Sequence, residues 1–126
     1  VGAVLRSAQA FGASSVALGP GTADPYGPKA VRASMGAVFA IALTRISDHT
    51  ELPSPTVALV ADQGPALREL DLSSATLMIG AEREGLPEKV VVDADSVARI
   101  PIATHSLNAA MAATVALYEV TRMAAG

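Results

Sequence analysis

The chain contains no cysteine and no tryptophan, and its aromatic residues stop at two tyrosines and two phenylalanines among 126 positions. Without thiols there is no disulfide, no thiolate-bound metal and no cysteine nucleophile. Only two histidines are present, His49 and His105, so no zinc site is expected. The absence of cysteine is compatible with the cytoplasm, and a cytoplasmic location is expected. A basic excess is missing as well: nine Lys and Arg stand against twelve Asp and Glu, a net charge of −3. A domain that gripped nucleic acid mainly by neutralising phosphates would be basic. Any hold on nucleic acid would therefore come from a local cluster or from another domain. No apolar run approaches the ~18 residues of a membrane span, and the apolar stretch 34–42 is short. No basic flank followed by an apolar core marks a signal peptide. The first residue is Val1 rather than Met, which suggests a fragment or a processed product.

What is present is aliphatic. Half of the residues are hydrophobic, enough for one domain core and too few residues for two ordinary domains. Residues 1–11 read as a helix, with Val1, Val4, Leu5, Ala8 and Phe11 on one face and Gly12 at the C-terminal cap. A strand at 15–18 follows. Residues 19–28 hold three Gly and three Pro and must be a loop. A helical turn is predicted over 29–36, a strand over 39–46 and a polar connection over 47–55. The run at 56–61 is uniformly apolar, as in a strand covered on both faces. One or two helical turns over 65–70, a strand over 76–80, a short helix over 86–91 with Pro87 near its first turn and a strand over 96–100 come next. The longest helix is predicted over 105–125, with Leu107, Met111, Val115 and Tyr118 as its apolar stripe and Ser106 or Thr104 as its cap. Alternating strands and helices predict an α/β domain with a mainly parallel sheet and helices on both faces.

Ligands in such sheets bind beyond the carboxyl ends of strands, and two loops there carry unusual residues. The first, IGAEREGLP at 79–87, places two glycines around a charged turn. Gly80 would admit a close backbone approach and Glu82 would sit at the strand end; a plain polar turn explains the same residues equally well. In the second, Pro101 stops the strand after Ile100, and Ser106 and Asn108 follow at the start of the long helix. Free N–H groups there attract anionic or electron-rich ligand groups, although for Ser106 simple capping is the better reading. Arg6 is a cation on an otherwise apolar helix, with a snorkelling surface role as its ordinary explanation. Lys29 and Arg32 stand at helical spacing, either a small phosphate-binding patch or a solvated face. There is no GxGxxG fingerprint, phosphate loop, HExxH or GxSxG elbow. Dehydrogenase and NTPase chemistry therefore lack support.

Together these segments resemble the SpoU/TrmH branch of the SPOUT methyltransferases. Residues 1–8, with Gly2, Arg6, Ser7 and Ala8, are similar to the end of motif one, Asn-x-Gly-x-x-x-Arg-(Thr/Ser)-Ala. Pro28, Lys29, Arg32, Ala33, Ser34, Gly36 and Ala37 match the family's PKxxRASxGA segment. Residues 79–86 resemble motif two, Gly-x-Glu-x-x-Gly-Leu. Ile100-Pro101 with Ser106-Leu107-Asn108 resembles motif three. The four occur in the family's order over nearly the whole chain.

The resemblance implies a C-terminal deep trefoil knot, S-adenosylmethionine as cofactor, a homodimer and RNA as substrate. The reaction would carry a methyl group to a ribose 2′-hydroxyl of ribosomal or transfer RNA. By family position Gly80, Ile100 and Leu107 bind the cofactor, and Arg6, Glu82, Ser106 and Asn108 form the catalytic set. Arg6 matches an arginine associated with deprotonation of the hydroxyl. A guanidinium stays protonated, so positioning and charge stabilisation are its expected role. The family's motif-one Asn and its preceding strand would lie before Val1. A separate RNA-binding domain, frequent in the family, is also expected outside residues 1–126. The link from Pro101 to Ser106 is shorter than usual, and Ala109-Ala110-Met111 replaces a more common Val-Ser or Val-Ala run. These departures keep alive a second reading, a SPOUT-fold scaffold that binds cofactor or RNA without catalysis. A third, an unrelated α/β small-molecule-binding domain, requires the motif matches to be coincidence.

Overall fold

The computed structural model describes residues 2–13, 15–19, 26–37, 42–72, 74–80, 85–103 and 108–125. The chain divides into two compact units, Val1–Glu51 and Leu52–Gly126. Both are α/β, and every strand pairing described is parallel.

The first unit opens with α1 (Gly2–Ala10), which buries Gly2, Leu5 and Ala8. The predicted glycine cap is present: Gly12 has φ +76°. The Gly12 N–H donates to the Gln9 carbonyl at 3.2 Å and the Ala13 N–H to the Ala8 carbonyl at 2.9 Å. This pair of bonds is the Schellman arrangement, which satisfies carbonyls that the helix end would otherwise orphan. Strand β1 (Ser15–Leu18) pairs with β2 (Ala42–Arg45), Ser15 level with Ala42. Between them lies α2 (Pro28–Ser34), opened by Pro28 and closed by Met35 in the left-handed region at φ +53°. The buried Ser34 hydroxyl donates to the Val31 carbonyl at 2.9 Å and so needs no outside partner. Leu5 and Ala37 form the centre of this unit's core, with Val16, Val31 and Leu43 against them. The 47–55 connection contains a 3₁₀ turn, His49–Glu51, where the Glu51 carboxylate accepts the Ser47 and Asp48 N–H groups at 2.9 and 3.0 Å.

The second unit is built on the strand order β4-β3-β5: β3 (Thr56–Leu59) in the centre, β4 (Thr76–Met78) and β5 (Ser96–Ala98) beside it. Thr56, Val57 and Ala58 are all buried, as a central parallel strand requires. A 3₁₀ turn at Leu67–Glu69, helix α3 (Glu88–Asp93) and helix α4 (Ala109–Ala125) complete it. The core gathers Val57, Leu67, Leu72, Ala98 and Ala116.

Two helix starts differ from expectation. Helix α3 begins at Glu88 and not at 86, with Pro87 as its cap next to the first turn, as expected, and the Pro87 carbonyl accepts the Val90 and Val91 N–H groups. Helix α4 begins at Ala109, not at 105, because Asn108 caps it. The buried face of α4 is Ala113 and Ala116, with Val120 packed on the core. Met111, Val115 and Tyr118 of the expected apolar stripe are 61%, 39% and 53% exposed. Both stripes have helical spacing, so periodicity cannot choose between them. Small alanines let the helix axis approach the core closely, and the larger side chains then face outward.

At the amino ends of the strands, Asp95 clamps β3. Its carboxylate accepts the Thr56 N–H at 2.7 Å and the Thr56 hydroxyl at 3.3 Å, while that hydroxyl receives the Asp95 N–H at 3.1 Å. The Thr56 backbone bond foremost holds the Asp95 carboxyl below the ordinary aspartate value, against partial desolvation and with help from the Ser54 and Thr56 hydroxyls. A carboxyl depressed on folding stabilises above its unfolded pKa and loses that contribution as pH falls through the folded value. Asp95→Ala should therefore lower the melting temperature near neutral pH. The gap to wild type should narrow below about pH 4, where free aspartate protonates. A gap independent of pH would show that the carboxylate charge is not its source.

Candidate active site

The parallel register brings the carboxyl ends of β4, β3 and β5 to one edge. Met78 is level with Ala58, and Ala58 with Val97. Gly80 and Ile100 therefore both lie just past the strand ends on that edge. They flank the end of β3, separated by two strand spacings, about 10 Å. This is the edge where open α/β sheets bind ligands.

Gly80 is held against Gly85 and Leu86. A Cβ built on Gly80 would overlap the Gly85 carbonyl carbon and the Leu86 nitrogen. The loop thus closes backbone on backbone at its two glycines, and Gly85 takes φ +67° to do so. This explains why glycine stands at both positions of the motif-two segment, for two different reasons: contact at Gly80, conformation at Gly85. Glu82, between them, lies outside the described residues.

Ile100 is half-buried and packs on the core around Val57, Leu67 and Ala98. Its side chain is engaged from below, which leaves its backbone at the edge. The residue before it, Arg99, was not singled out in the sequence. Its N–H donates to the Pro65 carbonyl at 3.0 Å and its carbonyl accepts the Leu67 N–H at 2.8 Å. One residue earlier, the Ala98 carbonyl accepts the Val60 N–H at 2.9 Å. Successive residues of an extended strand direct these groups to opposite edges. The end of β5 is therefore held on one edge by the end of β3 and on the other by residues 65–67.

Asn108 is exposed at the start of α4. Its side-chain oxygen accepts the N–H groups of Ala110 and Met111 at 2.9 and 3.3 Å, and its carbonyl accepts the first helical bond, from Ala112, at 2.8 Å. It is the N-cap, the role predicted for Ser106 or Thr104. Those two residues and Leu107 lie outside the described residues. Arg6, also of the expected catalytic set, stands in the other unit on the exposed side of α1, next to the fully buried Leu5. It has no hydrogen-bond or ion-pair partner among the described residues. Arg32 is exposed on α2; the side chain of Lys29 is outside the described set. No group of three or more His, Asp or Glu could hold a metal among the described residues, and none of their helices is long and apolar enough to cross a membrane.

The sequence pattern of the SpoU rRNA Methylase family matches residues 1–118. The chain belongs to the SpoU rRNA methylase family. Within it, the chain is 34% identical over 137 residues to the 23S rRNA (uridine(2479)-2′-O)-methyltransferase of Streptomyces viridochromogenes, covering 97% of the chain and 48% of that protein. It is 42% identical to a Syntrophobacter fumaroxidans protein named ribosomal RNA small subunit methyltransferase G 2, over 97% of the chain and 25% of the relative. The chain thus spans a quarter to a half of these relatives. Its fold matches the crystal structure of the SpoU methyltransferase AviRb from Streptomyces viridochromogenes in complex with AdoMet, with TM-score 0.92 and 32% identity over 98% of the chain and 55% of that structure. It also matches the AdoMet-bound rRNA methyltransferase from Sinorhizobium meliloti, with TM-score 0.87 and 35% identity over 96% and 50%. The SpoU resemblance drawn from four short motifs is borne out, and so is the parallel α/β class.

Proposed function

We propose that this SpoU-family chain is the methyl-transfer domain of an S-adenosylmethionine-dependent RNA 2′-O-ribose methyltransferase acting on ribosomal or transfer RNA. The observation that carries this reading is the Gly80–Gly85 closure at the carboxyl edge of β4-β3-β5, across the end of β3 from Ile100. It sets glycine backbone against loop backbone at that edge, in a chain whose fold matches two AdoMet-bound structures. A turn with no side chain at Gly80 or Gly85 suits a cofactor recognised by backbone groups at close range, so the residues present fit the group. Gly80, Ile100 and Leu107 would hold it. When bound, S-adenosylmethionine would supply an electrophilic methyl on a sulfonium for the ribose oxygen, with the neutral thioether as leaving group and the hydroxyl proton released to solvent. Arg6 would position the substrate and offset developing charge, and Asn108, through its cap, would fix where the motif-three loop meets α4. Glu82 and Ser106 would orient the substrate.

Several companion readings rest on the same family placement. A homodimer is supported by the outward face of α4, where Met111, Val115 and Tyr118 leave apolar surface exposed. A trefoil knot is supported by the way one continuous piece of chain, β3 to Leu67, holds both edges of the end of β5. With net charge −3, target RNA affinity would come mainly from parts of the protein outside this chain, and the protein would work in the cytoplasm.

Calorimetric titration of the full-length protein with S-adenosylmethionine, followed by transfer of labelled methyl to rRNA and tRNA, tests the proposal. The expected product is an alkali-resistant dinucleotide, because a 2′-O-methyl group blocks cleavage at that bond. A folded protein that binds no cofactor, or one that methylates a base and not a ribose, would overturn it.

A further inference from the structure

The end of β5 is fastened by more than backbone pairing. Between β3 and the Leu67–Glu69 turn the chain crosses from one edge of β5 to the other within residues 61–65. Gly64 lies close against β5. It has φ +78°, and a Cβ there would lie 2.5 Å from the Val97 carbonyl oxygen. Ala66 forms a parallel bridge with Arg99. The Arg99 side chain then reaches back over this crossing, and its Nε donates to the Gly64 carbonyl at 3.2 Å. Arg99 thus grips the 64–67 segment at three points: its N–H on Pro65, its carbonyl under Leu67, its guanidinium on Gly64. The next residue is Ile100.

We infer that Arg99 is a positioning residue for the cofactor site. Its Nε–Gly64 bond latches the crossing segment across β5 and so fixes the height at which the Ile100 backbone emerges at the ligand edge. Nothing in the contact requires Arg99 to touch cofactor or RNA. The inference rests on the proposal that Ile100 borders the S-adenosylmethionine site.

An exposed bond to a neutral carbonyl contributes modestly, so its loss should not unfold the unit. The effect should fall on the affinity of a ligand that needs the loop at one height. In the full-length protein, Arg99→Ala should raise the KM and Kd for S-adenosylmethionine about fivefold, the factor that ~1 kcal/mol represents. The kcat at saturating cofactor should stay within about twofold, and the melting temperature should be close to that of wild type. Amide exchange across residues 61–67 should accelerate. Arg99→Gln keeps an N–H donor at the position of Nε without the charge, so it should retain most of the wild-type affinity. Arg68→Ala, an exposed neighbour on the 3₁₀ turn, should change neither KM nor exchange. A glutamine variant as weak as the alanine one would assign Arg99 a charge contact with a ligand and overturn the latch. An unchanged KM with accelerated exchange, or a loss confined to kcat, would overturn it too. If the wild-type protein itself binds no cofactor, the proposed function fails first. The exchange difference between wild type and Arg99→Ala would still report whether the latch exists.

Discussion

Arg6→Ala should reduce methyl transfer by about a thousandfold, roughly 4 kcal/mol of transition-state stabilisation, while S-adenosylmethionine affinity stays within about twofold of wild type. The structure separates the two effects. Arg6 is exposed on α1, while its neighbour Leu5 carries the packing of that helix on Ala37 and its surroundings. No partner among the described residues ties the guanidinium down. Removing an exposed side chain without such ties changes stability by about 0.5 kcal/mol or less, so the variant should fold. Gly80 and Ile100 belong to the other compact unit. A charge placed to meet substrate would be missed mainly in the transition state, which lowers kcat rather than cofactor binding. Arg6→Lys keeps the charge without the planar fork and should recover only part of the rate. Cofactor titration alongside single-turnover methyl transfer checks both halves. Equal losses of affinity and rate in Arg6→Ala would show that Arg6 serves the fold or the cofactor.

How much of this was legible in the sequence depends on the range of the interaction that decides each feature. The cap at Gly12, the strand at Ser15–Leu18 and the buried run from Thr56 are local, and residue type alone indicates them. The two glycines of 79–87 were legible as a special loop, and the family's motifs placed it. Their direct contact was not, because a glycine needed for closeness and a glycine needed for its φ look alike as letters. The buried face of α4 is not legible, because Met111, Val115 and Tyr118 repeat as regularly as Ala113, Ala116 and Val120, and hydrophobicity favours the outward set. Asn108 was read as a catalytic candidate and not as the cap, since Thr104 and Ser106 are also good caps and only the helix start decides among them. The wrap of residues 60–67 around β5 left no trace at all. Gly64 and Arg99 are 35 positions apart, and no periodicity within one element links them. A Gly-Pro pair at 64–65 signals a turn but not what the turn lies against.

The loop at Gly80 gives the other large effect, and it separates closeness from conformation. Gly80→Ala should weaken S-adenosylmethionine binding by about a hundredfold or more, near 2.7 kcal/mol. The added Cβ would coincide with backbone of Gly85 and Leu86, which cannot turn aside as the end of a flexible side chain could. The loop must open, and opening moves the backbone that would face the cofactor. Forced overpacking of this kind costs about 1–3 kcal/mol, occasionally more, yet it falls on a loop outside the core of Val57, Leu67, Leu72, Ala98 and Ala116. The far-ultraviolet spectrum and cooperative melting should therefore persist at a reduced melting temperature, with faster amide exchange at 85–90. Gly12→Ala is the matched control. Nothing lies within 4 Å of a Cβ there, but φ is +76°, so the strain of a left-handed alanine should cost about 1 kcal/mol of stability and leave cofactor affinity unchanged. If Gly80→Ala binds the cofactor as wild type does while exchange at 85–90 shows the loop opened, the Gly80–Gly85 closure is a structural lock and the cofactor is held elsewhere. If both variants lose affinity in proportion to lost stability, global destabilisation explains the result, and the backbone closure at Gly80 has no special part in binding.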